Sequence, residues 1–207
     1  MQALRARMNP HFIFNCLNSI NNFILKNEQA KASEFLLKFS KLIRHILQNS
    51  MFPLITLDQE LEALRLYIEI EALRFHQQFE YRIRLGDGLD SMSIRVTPLI
   101  YQPFVENAIH HGLLPKEGPG HLELEIFEEG ESLVCLVRDD GVGRPEQALQ
   151  AAQPAGHKSL GIRLTTERIG LLPIPDRSIR PVTIQDLTDA MGKPAGTEVR
   201  IQTPLQV

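Results

Sequence analysis

The sequence predicts an α+β chain: an N-terminal helical hairpin and a connecting helix, then an α/β sandwich with a largely antiparallel sheet covered on one face by helices. Three observations carry this expectation. Apolar residues up to Asn49 recur at helical spacing, many of those from Phe79 onward alternate, and a capping signal at Thr56 stands between the two patterns.

The first helix is expected from about Leu4 to Lys26, where Ile13, Leu17, Ile20 and Ile24 follow one another at four-three-four spacing, the seam of a helix bundle. Phe12, Phe14 and Phe23 widen that stripe. A second helix is expected from about Glu28 to Asn49, with Phe35, Phe39, Leu42 and Ile46 on one face and Leu36, Ile43 and Leu47 beside it. Both stripes are broader than one hairpin can bury. Either the second domain covers them, or two copies pair as a homodimer in a four-helix bundle. Met51-Phe52-Pro53 interrupts the pattern, and Thr56 then caps a third helix, with Gln59 at the reciprocal capping-box position and Leu57, Leu61, Leu64, Ile68 and Leu73 along its length to about His76.

Strands are expected at Phe79 to Leu85, His121 to Phe127 and Leu133 to Val137, the last two joined at Glu129-Gly130. Pro98 to Gly112 reads as one amphipathic helix between them. Arg144 to Lys158, rich in Ala, Gln, Pro and Gly, reads as a loop of the kind that closes over a ligand. Ser159 to Leu172 returns to helix, and Val182 to Leu187 and Thr197 to Gln202 close the sheet around a turn at Gly192 and Pro194. The domains are therefore drawn at 1–55, 56–78 and 79–207.

Composition narrows the function classes. Among 207 residues the net charge is −3 with both signs interspersed, so there is no basic footprint for nucleic acid. The two cysteines, Cys16 and Cys135, lie in apolar surroundings and read as buried thiols. No apolar run is long enough to cross a bilayer, and no signal peptide is evident. The chain begins in the middle of a helical pattern, as a cytoplasmic piece of something longer would. Neither a Walker A pattern nor Gly-x-Gly-x-x-Gly occurs.

Three segments carry chemistry. In the Pro98 to Gly112 segment, Gln102, Asn107, His110 and His111 crowd together among apolar residues. An Asn amide oxygen suits Mg²⁺, because it orients the ion without adding charge beside a triphosphate, and Glu106 could hold a metal-bound water. An exposed polar helix face would look the same. Asp139 ends a strand, and its carboxylate can accept from an exocyclic amine, a geometry that selects adenine. Gly141 and Gly143 would let a flat base approach the backbone, although a simple acidic turn has the same pattern. Near the N-terminus Pro10 must bend or start a helix, placing His11 at the distortion. By itself His11 reads more simply as a surface histidine.

Taken together these segments resemble the sensor histidine kinases of the LytS/YehU type, whose ATP-binding domain belongs to the gyrase, Hsp90, kinase and MutL (GHKL) group. Leu4 to Asn15 resembles the family's phosphoacceptor segment, which makes His11 the phosphorylated residue. Pro98 to Gly112 is similar to its N box, with Asn107 as the Mg²⁺ ligand and Glu106, His110 and His111 on the nucleotide. Asp139, Gly141 and Gly143 fall on the box that holds adenine. Lys158, Ser159, Leu160 and Gly161, followed by Glu167-Arg168, resemble the second glycine box, and Gly196-Thr197 the last box.

The resemblance implies ATP and Mg²⁺, autophosphorylation of His11, and onward transfer to an aspartate of a response regulator, in this family often one with a LytTR domain. It further implies a homodimer and no direct nucleic-acid contact. The full-length protein would be an inner-membrane sensor, reached by the membrane only through an N-terminal region absent from this sequence.

Departures from the family pattern are Ser159 in place of a Gly, His110 in place of a Lys, and Phe12 where an acidic residue often orients the histidine; Asn15, one turn on, is the available substitute. Two alternatives compete: an ATP-binding dimerisation module without kinase activity, and a GHKL ATPase. Against the second, Pro103 stands where the water-activating acid would be.

Overall fold

A computed structural model describes residues 10–75, 78–144, 160–172 and 180–207. The chain divides into two compact units, Met1–Gln77 with Ser91–Leu99, and Gln78–Asp90 with Ile100–Val207.

In the first unit, helices α1 (Pro10–Leu25) and α2 (Gln29–Asn49) form the hairpin, and α3 (Leu57–Arg74) packs against both. Phe12, Cys16 and Phe23 of α1 point inward, with Phe12 5.1 Å from the Tyr67 ring and Phe23 5.9 Å from Phe35. Phe35, Phe39, Leu42 and Ile46 of α2 are buried, as are Leu57, Leu61, Leu64 and Ile68 of α3. The expected seam of α1 faces elsewhere. Leu17 and Ile24 are exposed, Ile13 and Ile20 half-buried, and Phe14, Leu36 and Leu47 also open to solvent. Residues 4–9 of the expected first helix lie outside the described residues.

The cap at Thr56 forms as the sequence indicates: the Gln59 N–H donates to Thr56 Oγ1 at 3.1 Å, and the Thr56 N–H donates to Gln59 Oε1 at 3.0 Å. A segment from beyond Phe79 joins this helix start. Strands β1 (Ile55–Thr56) and β3 (Arg95–Val96) pair antiparallel, the Leu57 N–H donates to Ile94 O at 2.8 Å, and the Asp58 N–H donates to Ser91 O at 2.9 Å. At the end of the segment the Leu99 N–H donates to the buried Glu60 carboxylate at 2.8 Å. Leu99 has φ +58°, a left-handed conformation that costs a residue with a Cβ roughly 1 kcal/mol.

The second unit is a five-stranded sheet in the order β2-β4-β5-β7-β6, comprising β2 (Phe79–Leu85), β4 (Gly120–Glu129), β5 (Ser132–Asp139), β7 (Pro194–Pro204) and β6 (Val182–Thr188). Only β2 and β4 run parallel; the other pairs are antiparallel, as the hairpin spacing indicated. Leu122, Leu124, Ile126, Leu133, Cys135, Val137, Val199 and Ile201 fill the core. The opposite face carries ions: Arg84 with Glu123 at 3.3 Å, and Arg138 with Glu198 and with Glu125. Helix α5 (Leu160–Gly170) packs against α4 (Gln102–Asn107).

The stretch Pro98 to Gly112 is not one α-helix. The left-handed Leu99 prevents an early start, α4 begins at Gln102 beside Pro103, and from Ala108 to Leu113 the backbone widens into a π-helical turn. That turn lies on β4, β5 and β7. Both cysteines are buried free thiols. Burial foremost, then the Glu71 charge, pushes the Cys16 thiol up to about 12 against the opposing pull of Arg74.

Candidate functional site

Asp139 is the last residue of β5, and the chain is arranged around its carboxylate. It is 3% exposed. One oxygen accepts the Gly141 N–H at 3.0 Å, and the other accepts the Thr197 hydroxyl from β7, the register partner of Asp139. Burial raises its pKa above the ordinary carboxylate value, and the hydrogen bonds from Thr197 and Gly141 offset part of that rise.

Glycines make this packing possible. A Cβ at Gly112, in the π-helical turn, would stand 2.5 Å from Asp139 Oδ1, and one at Gly141 would stand 2.2 Å from the Gly112 carbonyl carbon. The Val142 N–H donates to Gly112 O at 3.0 Å, tying turn to turn. Gly196 has φ +121°, and a Cβ there would fall 1.9 Å from Asp139 O. Gly112 and Gly141 thus close on the carboxylate of Asp139, and Gly196 on its main-chain carbonyl.

The adjacent Asp140 has a different task. It accepts the His121 N–H and contacts His121 Nδ1, both at 2.7 Å, and pairs with Lys116 at 2.8 Å. Partial burial alone would raise its pKa; the bonds from Lys116 and His121 outweigh that and hold it below the usual carboxylate value. Two neighbouring acids are therefore shifted in opposite directions.

The other expected site residues fall as follows. Glu106 and Asn107 are half-buried at the end of α4, His110 is half-buried and His111 exposed in the π-helical turn. Gly143, at φ +70°, lies against Pro194. Leu160 and Gly161 open α5, while Lys158 and Ser159, with the expected loop from residue 145, lie outside the described residues. The structure brings Asp139, Gly141 and Thr197 into contact and adds Gly112, whose role the sequence reading overlooked. The only hint was its position, closing the His110-His111-Gly112 run beside otherwise bulky residues.

His11 belongs to the first unit. Its ring is exposed on α1, and Asn15 Nδ2 lies 3.1 Å from Nδ1 and 3.5 Å from Nε2. Among the described residues no group of three His, Cys, Asp or Glu side chains is placed to cage a metal ion, and no helix is long and apolar enough to cross a membrane.

Residues 1–79 match the histidine kinase family. The sensor protein LytS of Bacillus cereus is 33% identical over 150 residues, which cover 72% of this chain and 25% of that protein. The sensor histidine kinase/phosphatase LytS of Staphylococcus aureus is 33% identical over 144 residues, 69% of this chain and 24% of that one. A solved histidine kinase domain, from the blue-light activated histidine kinase of Erythrobacter litoralis EL346, shares the fold: TM-score 0.51 at 18% identity, spanning 97% of this chain and 90% of that one.

The architecture is thus that of a histidine kinase, helices followed by a five-stranded sandwich. The chain belongs to the sensor histidine kinases of the LytS type, and it spans about a quarter of the length of the curated relatives it matches.

Proposed function

We propose that this chain binds ATP at Asp139, phosphorylates its own His11 and passes the phosphoryl group to an aspartate of a response regulator. The observation that carries the nucleotide half of this reading is the buried Asp139 carboxylate, both of whose oxygens are already oriented by Thr197 and Gly141. A base whose exocyclic amine meets that carboxylate finds an acceptor already held in place. Glycine at 112, 141 and 196 lets the surrounding backbone close tightly enough to hold Asp139 in that place.

The donor set fits Mg-ATP. Asn107 offers an uncharged amide oxygen for the ion, and Glu106, His110 and His111 share its helical stretch. Lys158, Ser159, Leu160 and Gly161 are assigned to the phosphates by position in the family pattern. When bound, ATP supplies the phosphoryl group and Mg²⁺ neutralises the charge that builds on it. The chain's own contribution is positioning more than covalent assistance.

A neutral imidazole nitrogen of His11 attacks the γ-phosphorus. The N–P bond forms as the bond to the bridging oxygen breaks, ADP leaves, and the ring proton passes to solvent. Asn15 orients the ring from one turn away. With its carbonyl turned to Nδ1–H it leaves the Nε2 lone pair outward; with its amino group there it fixes the other tautomer.

Residues 1–55 serve as the phosphoacceptor and dimerisation region, 56–78 as connecting helix and 79–207 as the ATP-binding domain, apart from Ser91–Leu99, which belongs with the helical unit. The exposed Phe14, Leu17, Ile24, Leu36 and Leu47 support pairing of two hairpins into a four-helix bundle. The response regulator is of the LytTR type, and the membrane is reached through a sensor region N-terminal to this segment, which itself works in the cytoplasm.

The test is incubation with radiolabelled Mg-ATP, scoring acid-labile, base-stable label on wild type, His11→Gln and Asn107→Asp. Label on wild type alone supports the reading. Label that survives in His11→Gln removes His11 as the acceptor.

A further inference from the structure

The cross-strand row that begins at Asp139 continues past Thr197. Thr197 pairs with Asp139 on one side and with Asp186 of β6 on the other. Register partners in adjacent strands project from the same face of a sheet, so the three side chains stand in one line. Thr197 bonds Asp139. Asp186 is held by Arg144, whose Nε donates to Oδ1 at 2.6 Å and whose Nη2 donates to Oδ2. This is the forked guanidinium–carboxylate geometry, which fixes orientation as well as distance.

Arg144 directly follows Gly143. The turn from Asp139 to Arg144 is therefore fastened to that row at both ends, its entry through Asp139 on Thr197 and its exit through Arg144 on Asp186. Between these anchors, the Gly141 N–H reaches back to Asp139 and the Val142 N–H reaches Gly112. The ladder alone does not hold the exit. β6 is an edge strand, and its register with β7 breaks between Asp186 and Thr188. Partly exposed ion pairs contribute little to stability, so the stability of the sheet does not account for the fork.

We propose that Arg144 and Asp186 are positioning residues for purine selection, holding the exit of the turn so that the Asp139 carboxylate stays aimed at an exocyclic amine. The inference rests on the nucleotide reading above. An adenine presents an amino donor at its 6-position, whereas a guanine presents an oxo acceptor there. A fixed, acceptor-only carboxylate favours the first and repels the second. A carboxylate on a loosened turn can swing aside, and the discrimination fades.

The experiment is calorimetric titration of the 207-residue chain with ADP and with GDP, for wild type, Asp186→Asn, Arg144→Lys and the exchanged pair Arg144→Asp/Asp186→Arg. The ADP affinity of each single variant is expected to fall about tenfold, with a smaller change for GDP, so that the ADP/GDP ratio contracts. The nucleotide-free melting temperature should move by no more than about 2 °C. Recovery of ADP preference in the exchanged pair would add support that a purely structural role does not provide. An ADP/GDP ratio unchanged in both single variants overturns the proposal. Wild type that binds neither nucleotide overturns the nucleotide reading itself, and the inference with it.

Discussion

His11 and Asp139 are the two side chains on which the proposed reaction turns, and the chain treats them in opposite ways. His11 stands exposed on a helix, its ring in reach of an amide one turn away on that same helix. Asp139 is buried and is approached by Gly141 of its own turn and by Gly112 and Gly196 from two other segments. A phosphoryl acceptor has to meet a donor and later a second protein, so it cannot be walled in. A group that reads a base gains from the reverse, because a buried, oriented carboxylate has no water competing for it. Exposure at one site and over-determination at the other are two solutions to two different recognition problems.

The sharpest way to break that contrast is to remove each side chain and read chemistry and stability separately. His11→Gln should lose all acid-labile label while its urea unfolding free energy stays within about 0.5 kcal/mol of wild type, as for a surface change. Gly196→Ala should do the reverse of a surface change. Its methyl group would meet Asp139 O at a φ of +121°, and a loss of about 3 kcal/mol in the same unfolding assay is expected. An alanine tolerated at 196 would mean that the wall around Asp139 is softer than described.

Acid titration sharpens the comparison further. The folded-state pKa of Asp139 is raised, with burial as the main cause, so its contribution to stability is complete below the unfolded carboxylate value and is lost as pH rises through the folded value. Asp140 has the opposite sign: its contribution is present above the unfolded value and disappears as pH falls through its lowered folded pKa. Asp139→Asn removes only the first effect. Its melting temperature relative to wild type should therefore climb as pH rises from the unfolded carboxylate value, about 4, through the raised folded value, even as ADP binding is lost. In wild type, ADP affinity should weaken as pH drops through the raised Asp139 pKa, because a protonated carboxyl donates where it must accept. A melting difference that does not vary with pH would show that Asp139 carries its charge without penalty.

The smallest expected effect is at Asn15. Asn15→Ala should slow labelling of His11 by about tenfold and leave ADP affinity unchanged, measured as an initial rate at saturating ATP. An unaltered rate would leave the His11 ring with no need of its helical neighbour.

What could be read in advance follows the range of the forces involved. The Thr56–Gln59 capping box is a contact within four residues, and the sequence displays it outright. The alternation in Leu122, Leu124 and Ile126 marks an inward strand face for the same local reason. Helical periodicity, however, does not say which of two apolar stripes faces its own chain: Phe12, Cys16 and Phe23 turn inward, while Leu17 and Ile24 of the heptad seam face solvent. The break at Leu99 and the π-helical turn that follows were hidden, because a buried Glu60 from far upstream and a distant strand decide them. The same holds for Gly112 against Asp139 and for Arg144 against Asp186. These are contacts between segments that only the completed sheet brings together.

The bond from Leu99 to Glu60 bears on how such proteins are cut and recombined. The chain leaves the helical unit at residue 77, returns to it for Ser91–Leu99, and leaves again. A single crossover near residue 78 therefore does not yield two self-sufficient modules. The downstream piece would carry away β3 and a left-handed leucine whose N–H has lost its acceptor. The upstream piece would keep a buried carboxylate stripped of that donor. Chimeras that graft this domain onto a foreign sensor should retain α3 together with residues 91–99, or inherit a defect on both sides of the joint.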